Sequence, residues 1–258
     1  MKKLVHLTRA LCLLLTVLLI SAQADDDFPL RAKYPDVQVI SVEDLAKDFE
    51  QIIVVDVRSK MEFDVAHVNG AKHITLAKAS FANDLEAVRS KTDSQPMAFY
   101  CNGHTCAKSY KAYKKASEAG FTNILAYDAG IFDWIKAQPQ KATLMGATPA
   151  SADKIIPKSE LKKHFLGFND FKAKAETAGT MVIDIREPFQ REEKLEINGL
   201  RNIPLDRLLG LLKKKQFQDK HLMIFDAVGK QVRWLQYHLE ENGYTDYTFL
   251  KNGVKGAM

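Results

Sequence analysis

The chain carries one unit twice, in the same order, at offsets of 123 to 129 residues. Asp56-Val57-Arg58 returns as Asp184-Ile185-Arg186, each behind a β-branched run (Ile52 to Val55, Met181 to Ile183) that reads as a buried strand. Asn69-Gly70-Ala71-Lys72-His73-Ile74 returns as Asn198-Gly199-Leu200-Arg201-Asn202-Ile203. Gly120-Phe121-Thr122-Asn123 returns as Gly243-Tyr244-Thr245-Asp246, and Gly130-Ile131 as Gly253-Val254. A duplicated pattern of this length demands two copies of one fold, each with its own core.

Within the first copy strands alternate with helical segments. Val37 to Ser41 reads as a strand, Val42 to Glu50 as a helix, and the run ending at Asp56 and Met97 to Tyr100 as strands. An amphipathic helix follows at about Ala107 to Ala119, then a strand at Asn123 to Ala126 and a helix from near Ile131. Such alternation predicts the α/β class: two domains, each an open, mostly parallel sheet with helices on both faces. Residues 139–152 hold Pro139, Gly146 and Pro149 and read as a linker between a first domain at 34–138 and a second at 153–258.

Register separates the copies. Aligning Met97-Ala98-Phe99-Tyr100 with Leu222-Met223-Ile224-Phe225 sets Cys101 opposite Asp226, and the first copy then has two more residues than the second before Gly120 or Gly243. Two extra residues inside the helix would turn its apolar face by about 200°. They are therefore assigned to the loop.

Residues 1–24 read as a cleavable secretory signal peptide, with Lys2, Lys3 and Arg9, an apolar stretch from Leu11 to Ile20, and Ala22-Gln23-Ala24 before Asp25-Asp26-Asp27. The apolar stretch is shorter than the roughly 20 residues of a spanning helix, so a periplasmic mature protein that does not span the membrane is expected. Cleavage leaves 234 residues and removes three of the 37 basic side chains and none of the 32 acidic ones, so 34 basic stand against 32 acidic. No long basic run remains, which argues against nucleic acid as a partner. Of three cysteines, Cys12 leaves with the leader, and Cys101 and Cys106 stay in one short segment.

Cys101 closes a predicted buried strand and opens the loop Asn102-Gly103-His104-Thr105-Cys106-Ala107-Lys108 before a helix. In open α/β sheets ligands bind at this edge, and helix N-termini present unpaired N–H groups to anions. A thiol placed there is favoured as thiolate, its pKa falling from about 8.5 to about 3.5–7.5, and the thiolate is the nucleophile. Lys108 and His104 are candidates to meet an anionic substrate. Asp56, Arg58 and Glu62 are read as support beneath the loop, and Ser109 as a local hydrogen-bonding residue.

Asp56-Val57-Arg58 with Glu62-Phe63, Ala66-His67-Val68-Asn69-Gly70-Ala71, Ile74, Cys101 with its loop, Gly120-Phe121-Thr122-Asn123, Gly130-Ile131 and Trp134 resemble the rhodanese pattern. The second copy is similar through Asp184-Ile185-Arg186, Asn198-Gly199, Asn202-Ile203, Asp226 to Lys230, Gly243-Tyr244 and Gly253-Val254. The resemblance implies a tandem rhodanese-like sulfurtransferase. Its Cys101 would take sulfane sulfur from a small anion such as thiosulfate, form a persulfide and pass the sulfur to a thiol or protein acceptor, with no cofactor and no metal. Three features depart from the pattern: Asp226 replaces the second nucleophile, so that domain is expected to be silent; the active domain comes first; and the first loop holds a second cysteine. Donor, acceptor and oligomeric state are left open.

Four other readings stand beside this one, among them a binding module whose second domain docks a partner, although nothing in Asp226 to Lys230 identifies one. Cys106 as a resolving cysteine makes the chain a thiol-disulfide oxidoreductase. A longer loop around a tetrahedral anion suggests a phosphate or arsenate enzyme, although no arginine lies between Cys101 and Ser109 to grip the oxyanion. Cys101, His104 and Cys106 are also a set of soft metal ligands, too tightly spaced for a structural zinc site.

Overall fold

Short runs of β-branched, aromatic and small residues form the strands, and segments with one apolar face form the helices between them. The computed structural model describes residues 27–258, so the expected signal peptide lies outside the described residues. Two compact units divide the chain, the first ending at Lys154 and the second beginning at Ile155.

In the first unit the order is α1 (Val42–Lys47), β1 (Ile53–Asp56), α2 (Lys60–Val65), β2 (Ala66–Val68), β3 (Lys72–His73), α3 (Phe81–Val88), β4 (Met97–Tyr100), α4 (Lys108–Glu118), β5 (Ile124–Tyr127), α5 (Gly130–Ala137) and β6 (Ala142–Leu144). In the second it is α6 (Lys158–Lys163), β7 (Phe165–Leu166), α7 (Phe168–Ala175), β8 (Thr180–Asp184), β9 (Arg201–Asn202), α8 (Leu205–Lys213), β10 (His221–Phe225), α9 (Val232–Glu241) and β11 (Tyr247–Leu250). The first parallel sheet runs β3-β1-β4-β5 and the second β9-β8-β10-β11-β7. These are the same order, the duplication written in three dimensions. The edge position filled by β7 is held in the first unit only by a bridge from Val39 to Ala126. The strand expected from Val37 to Ser41 stops short because Ser41 already caps α1, its hydroxyl accepting the Asp44 N–H at 3.0 Å.

Strand alternation sorts the core. Val55, Met97 and Phe99 turn to one face of the first sheet, where Phe81 and Leu85 of α3 and Ala112 and Ala116 of α4 cover them. On the other face Trp134 of α5 meets Tyr127 edge-on at 6.0 Å and stacks with Phe49 at 5.2 Å. The stretch 139–152, read from sequence as a linker, is built into the first unit. Its β6 pairs antiparallel with β2, and Ala142, Leu144 and Ala150 are buried. Small apolar residues that look like linker composition here fill a sheet whose partner strand lies far back in the chain.

Both repeats bury an aspartate-arginine fork at the end of their first central strand. Arg58 Nε donates to Asp56 Oδ1 at 2.9 Å and Nη2 to Oδ2 at 2.5 Å, and both residues are fully buried. Arg186 and Asp184 repeat the fork at 3.0 and 2.7 Å. Burial works against the Arg58 charge, but Asp56, Tyr100 and Glu62 outweigh it and hold the guanidinium above its usual pKa. The same guanidinium reaches the Ala66 carbonyl at 2.5 Å and the Asn102 side-chain oxygen at 3.1 Å, tying β1 to β2 and to the loop after β4. Removing one partner strands a buried charge, so Arg58→Ala is expected to destabilise the first unit by roughly 3–5 kcal/mol. Urea unfolding followed in the first unit measures this, and a loss under about 0.5 kcal/mol, the scale of an ordinary surface substitution, would contradict it.

Candidate active site

Parallel pairing sets the site. Asp56 lies opposite Tyr100, and in the second unit Asp184 lies opposite Phe225, so Cys101 and Asp226 both come directly after the last residue of a central strand. The carbonyls of both residues accept an N–H from the segment just after the neighbouring strand, Ile131 after β5 to Cys101 and Val254 after β11 to Asp226, each at 3.0 Å. Gly130 and Gly253 sit against the loops at φ of +73° and +59°. A Cβ at Gly130 would collide with the backbone of Gly103, and one at Gly253 with the backbone from Asp226 to Val228. The repeated Gly-Ile/Val pair is thus the floor on which each loop rests.

The second loop shows what this geometry holds. The buried Asp226 carboxylate accepts backbone N–H groups from Val228 at 2.8 Å, from Gly229, from Gln231 at 2.5 Å and from Val232 at 3.2 Å. These are the donors that a turn into a helix N-terminus leaves unpaired. The chain's own carboxylate occupies them. In the first unit the residue at that position is Cys101, 1% exposed.

Polar side chains brace the first loop from below. Asn102 accepts from Arg58 and donates to Glu62 Oε1 at 2.6 Å, and Lys108 Nζ lies 3.0 Å from Glu62 Oε2. Ser59 and Glu62 close a capping box at the start of α2. Burial alone would raise the Glu62 carboxyl, but Lys108, the Ser59 N–H, the Asn102 amide and Arg58 outweigh it and lower the pKa to about 2. Lys108, expected in the loop, is the first residue of α4. The two extra residues of the first copy are shared, one between Cys101 and the helix and one in the helix, 11 residues against ten in α9. A single residue added at a helix end lengthens it without turning its existing face. Ser109 does not make the expected local bond: it is buried, and its hydroxyl finds no hydrogen-bond partner among the described residues. At the second position of α4 it has no helical turn behind it whose carbonyl it can reach.

Cys101 and Cys106 are joined by a disulfide with Cα atoms 6.2 Å apart. Between them Thr105 is exposed, and Gly103, at φ +134°, accepts the Cys106 N–H at 2.8 Å. Ala107 stands at the N-cap of α4. His104 turns outward, with Nδ1 2.7 Å from the Asp27 carbonyl, Nε2 2.7 Å from the Asp133 carboxylate, and its ring stacked on Phe28 at 4.2 Å. The segment that begins there is fixed further along: Arg31 forks onto Asp128 at 2.8 and 3.1 Å, Tyr110 donates to the same carboxylate at 2.5 Å, and Tyr34 stacks on Tyr110 at 4.9 Å. Sequence reading passes over Asp133, Asp128 and Phe28. Their signal lies in the difference between copies, since the positions matching Asp128 and Asp133 hold Lys251 and Gly256.

The rhodanese-like domain family matches this chain twice, over residues 41–137 and 168–257. The probable adenylyltransferase/sulfurtransferase MoeZ of Mycobacterium tuberculosis is 26% identical over 111 residues, which is 43% of this chain and 27% of that protein, and it is matched equally in two strains. The chain thus spans about a quarter of the length of these curated relatives. Among solved structures it is similar to a thiosulfate sulfurtransferase from Pseudomonas aeruginosa, at 17% identity and TM-score 0.38 over 85% of this chain and 42% of that one. It is also similar to SseA from Escherichia coli, in a structure of 3-mercaptopyruvate sulfotransferases, at 14% identity and TM-score 0.34 over 84% and 98%.

The bracing of the loop is expected to weaken in a defined pH window. A carboxyl lowered from 4.5 to about 2 contributes stability that is fully present above 4.5 and lost as pH falls through 2. Glu62→Gln removes that contribution, on the order of 3 kcal/mol at neutral pH for a shift of this size. Urea unfolding of both proteins from pH 7 to pH 2 is expected to show their difference shrinking across that window. A difference that stays constant would contradict the assignment.

Proposed function

The chain belongs to the rhodanese-like domain family, and from that membership we propose that it is a sulfurtransferase whose Cys101 carries sulfane sulfur as a persulfide. The observation that carries this reading is the Asp226 carboxylate gathering four backbone N–H groups at the strand end. A loop of the same descent, with cysteine at that position, is suited to hold a thiolate and then a persulfide anion. Thiosulfate is a fitting donor: the Cys101 thiolate attacks its outer sulfur and sulfite leaves. Asn102, Gly103, Thr105 and Ala107 supply the loop backbone, and Lys108 places a cation at its edge. Asp56, Arg58 and Glu62 position the loop and touch no substrate.

The second domain, 153–258, is silent in this reading, because a carboxylate cannot carry a persulfide and Asp226 fills its own cradle. Export completes the proposal, with residues 1–24 removed and the mature chain in the periplasm. No helix among the described residues is long and apolar enough to cross a membrane. A second reading, thiol-disulfide oxidoreductase, is favoured by one observation, the Cys101–Cys106 disulfide.

The test uses reduced Cys106→Ser protein, in which the disulfide cannot form. After incubation with thiosulfate the Cys101 peptide is expected to gain one sulfur atom, and cyanide is expected to remove it as thiocyanate. Protein recovered from a periplasmic fraction is expected to begin at Asp25. An unchanged Cys101 peptide would overturn the sulfurtransferase reading.

A further inference from the structure

Five residues of extended chain span about 17 Å, yet Cys101 and Cys106 return to within 6.2 Å between Cα atoms, inside the roughly 4.4–6.8 Å that a disulfide requires. The return is built by the loop. The Cys106 N–H bonds back to the Gly103 carbonyl, Gly103 rests against the start of α5 at Ala129 and Gly130, and His104 is drawn outward onto Asp27, Phe28 and Asp133, leaving the two sulfurs joined without it. Nothing like this exists in the second loop, which is one residue shorter before its helix and has no cysteine. The two sulfurs also differ in access. Cys101 is buried at the strand end, whereas Cys106 is partly exposed.

We propose that Cys106 is a second catalytic residue, which discharges the Cys101 persulfide as hydrosulfide, so that the first domain consumes a dithiol and releases sulfide. This rests on the persulfide reading above. The Cys106 thiolate attacks the inner sulfur of the persulfide, the Sγ of Cys101. A bond forms between the two cysteine sulfurs, and the bond to the terminal sulfur breaks. That sulfur leaves with the electron pair and takes up a proton as hydrosulfide. Cys106 is oxidised and the terminal sulfur reduced, and the product is the disulfide seen in the structure. A dithiol then attacks the accessible Cys106 sulfur, and Cys101 departs as the thiolate that the proposed N–H cradle stabilises, the better leaving group of the two. The dithiol's second thiol closes its own disulfide and frees Cys106. Over a cycle, thiosulfate and a dithiol become sulfite, hydrogen sulfide and a disulfide.

The experiment is a single turnover. Wild type and Cys106→Ser are reduced, freed of reductant and given thiosulfate, with hydrosulfide, sulfite and remaining thiols counted. Wild type is expected to release one hydrosulfide per sulfite and to lose both thiols. Cys106→Ser is expected to release sulfite, keep the sulfur on Cys101 and yield hydrosulfide about a hundred-fold more slowly, since an intramolecular attack has been removed. Its retained cyanide-labile sulfur shows that the variant is folded. Dithiothreitol is expected to restart wild type. The proposal is overturned if Cys106→Ser releases hydrosulfide at the wild-type rate, or if wild type accumulates persulfide beside a free Cys106 thiol while the variant still loads sulfur. If neither protein takes up sulfur, the persulfide reading falls and this inference with it.

Discussion

Where a central strand of this fold turns into a helix, several backbone N–H groups face one point and have no helical carbonyl to bond. That shortage of acceptors is the constraint on which the rest depends, because buried donors left unpaired cost more than the turn gains. The second unit answers it from within its own chain, with a carboxylate on the strand end; Asp226 accepts four N–H hydrogen bonds and fills the site. The first unit puts a sulfur there instead, a weaker acceptor as a thiol and a good one as an anion. The same backbone requirement yields a self-satisfied loop in one copy, and in the other the loop for which we propose an anionic sulfur.

Everything beneath the loops serves to keep that point fixed. The aspartate-arginine fork closes the end of the first central strand in both units, and the glycine after the neighbouring strand lets the loop lie on it. The copies diverge at the loop. The Arg58 guanidinium extends through Asn102 to Glu62 and Lys108, a chain of polar contacts that grips the first loop. The corresponding Arg186 turns its Nη1 to the Gln190 carbonyl in its own turn, while Nη2 is shared between Asp184 and the Glu193 carbonyl. The second loop needs no grip from below, since Asp226 already holds it from within.

The sequence made the duplicated α/β fold and the equivalence of Cys101 with Asp226 legible, because both are recorded as ordered matches between copies. Gly130 and Gly253 appeared as a repeated glycine, and their reason, a backbone approach too close for a Cβ, is a property of the fold that the match only signals. Features present in one copy were harder to read. The strand Ala142–Leu144 looked like linker because its partner Ala66–Val68 is distant in sequence and its residues are small. The clasp of His104 by Asp27 and Asp133, and of Arg31 by Asp128, joins segments about 30 to 100 residues apart by side chains that carry no periodic signal. The disulfide lay between these cases: the spacing of Cys101 and Cys106 permitted it, and the fold of the loop around Gly103 brings it about.

If the strand-end loop is a cradle for an anion, the Cys101 thiol must ionise more readily than a cysteine in water. Its rate of alkylation by iodoacetamide as a function of pH, measured on reduced Cys106→Ser protein so that one loop thiol titrates alone, reports this directly. The midpoint is expected below the roughly 8.5 of a free cysteine, within the range of about 3.5–7.5 found for thiols at helix N-termini. A midpoint at or above 8.5 would mean that burial outweighs the N–H groups at this position, and that the loop of the first unit does not hold the charge that its counterpart holds on Asp226.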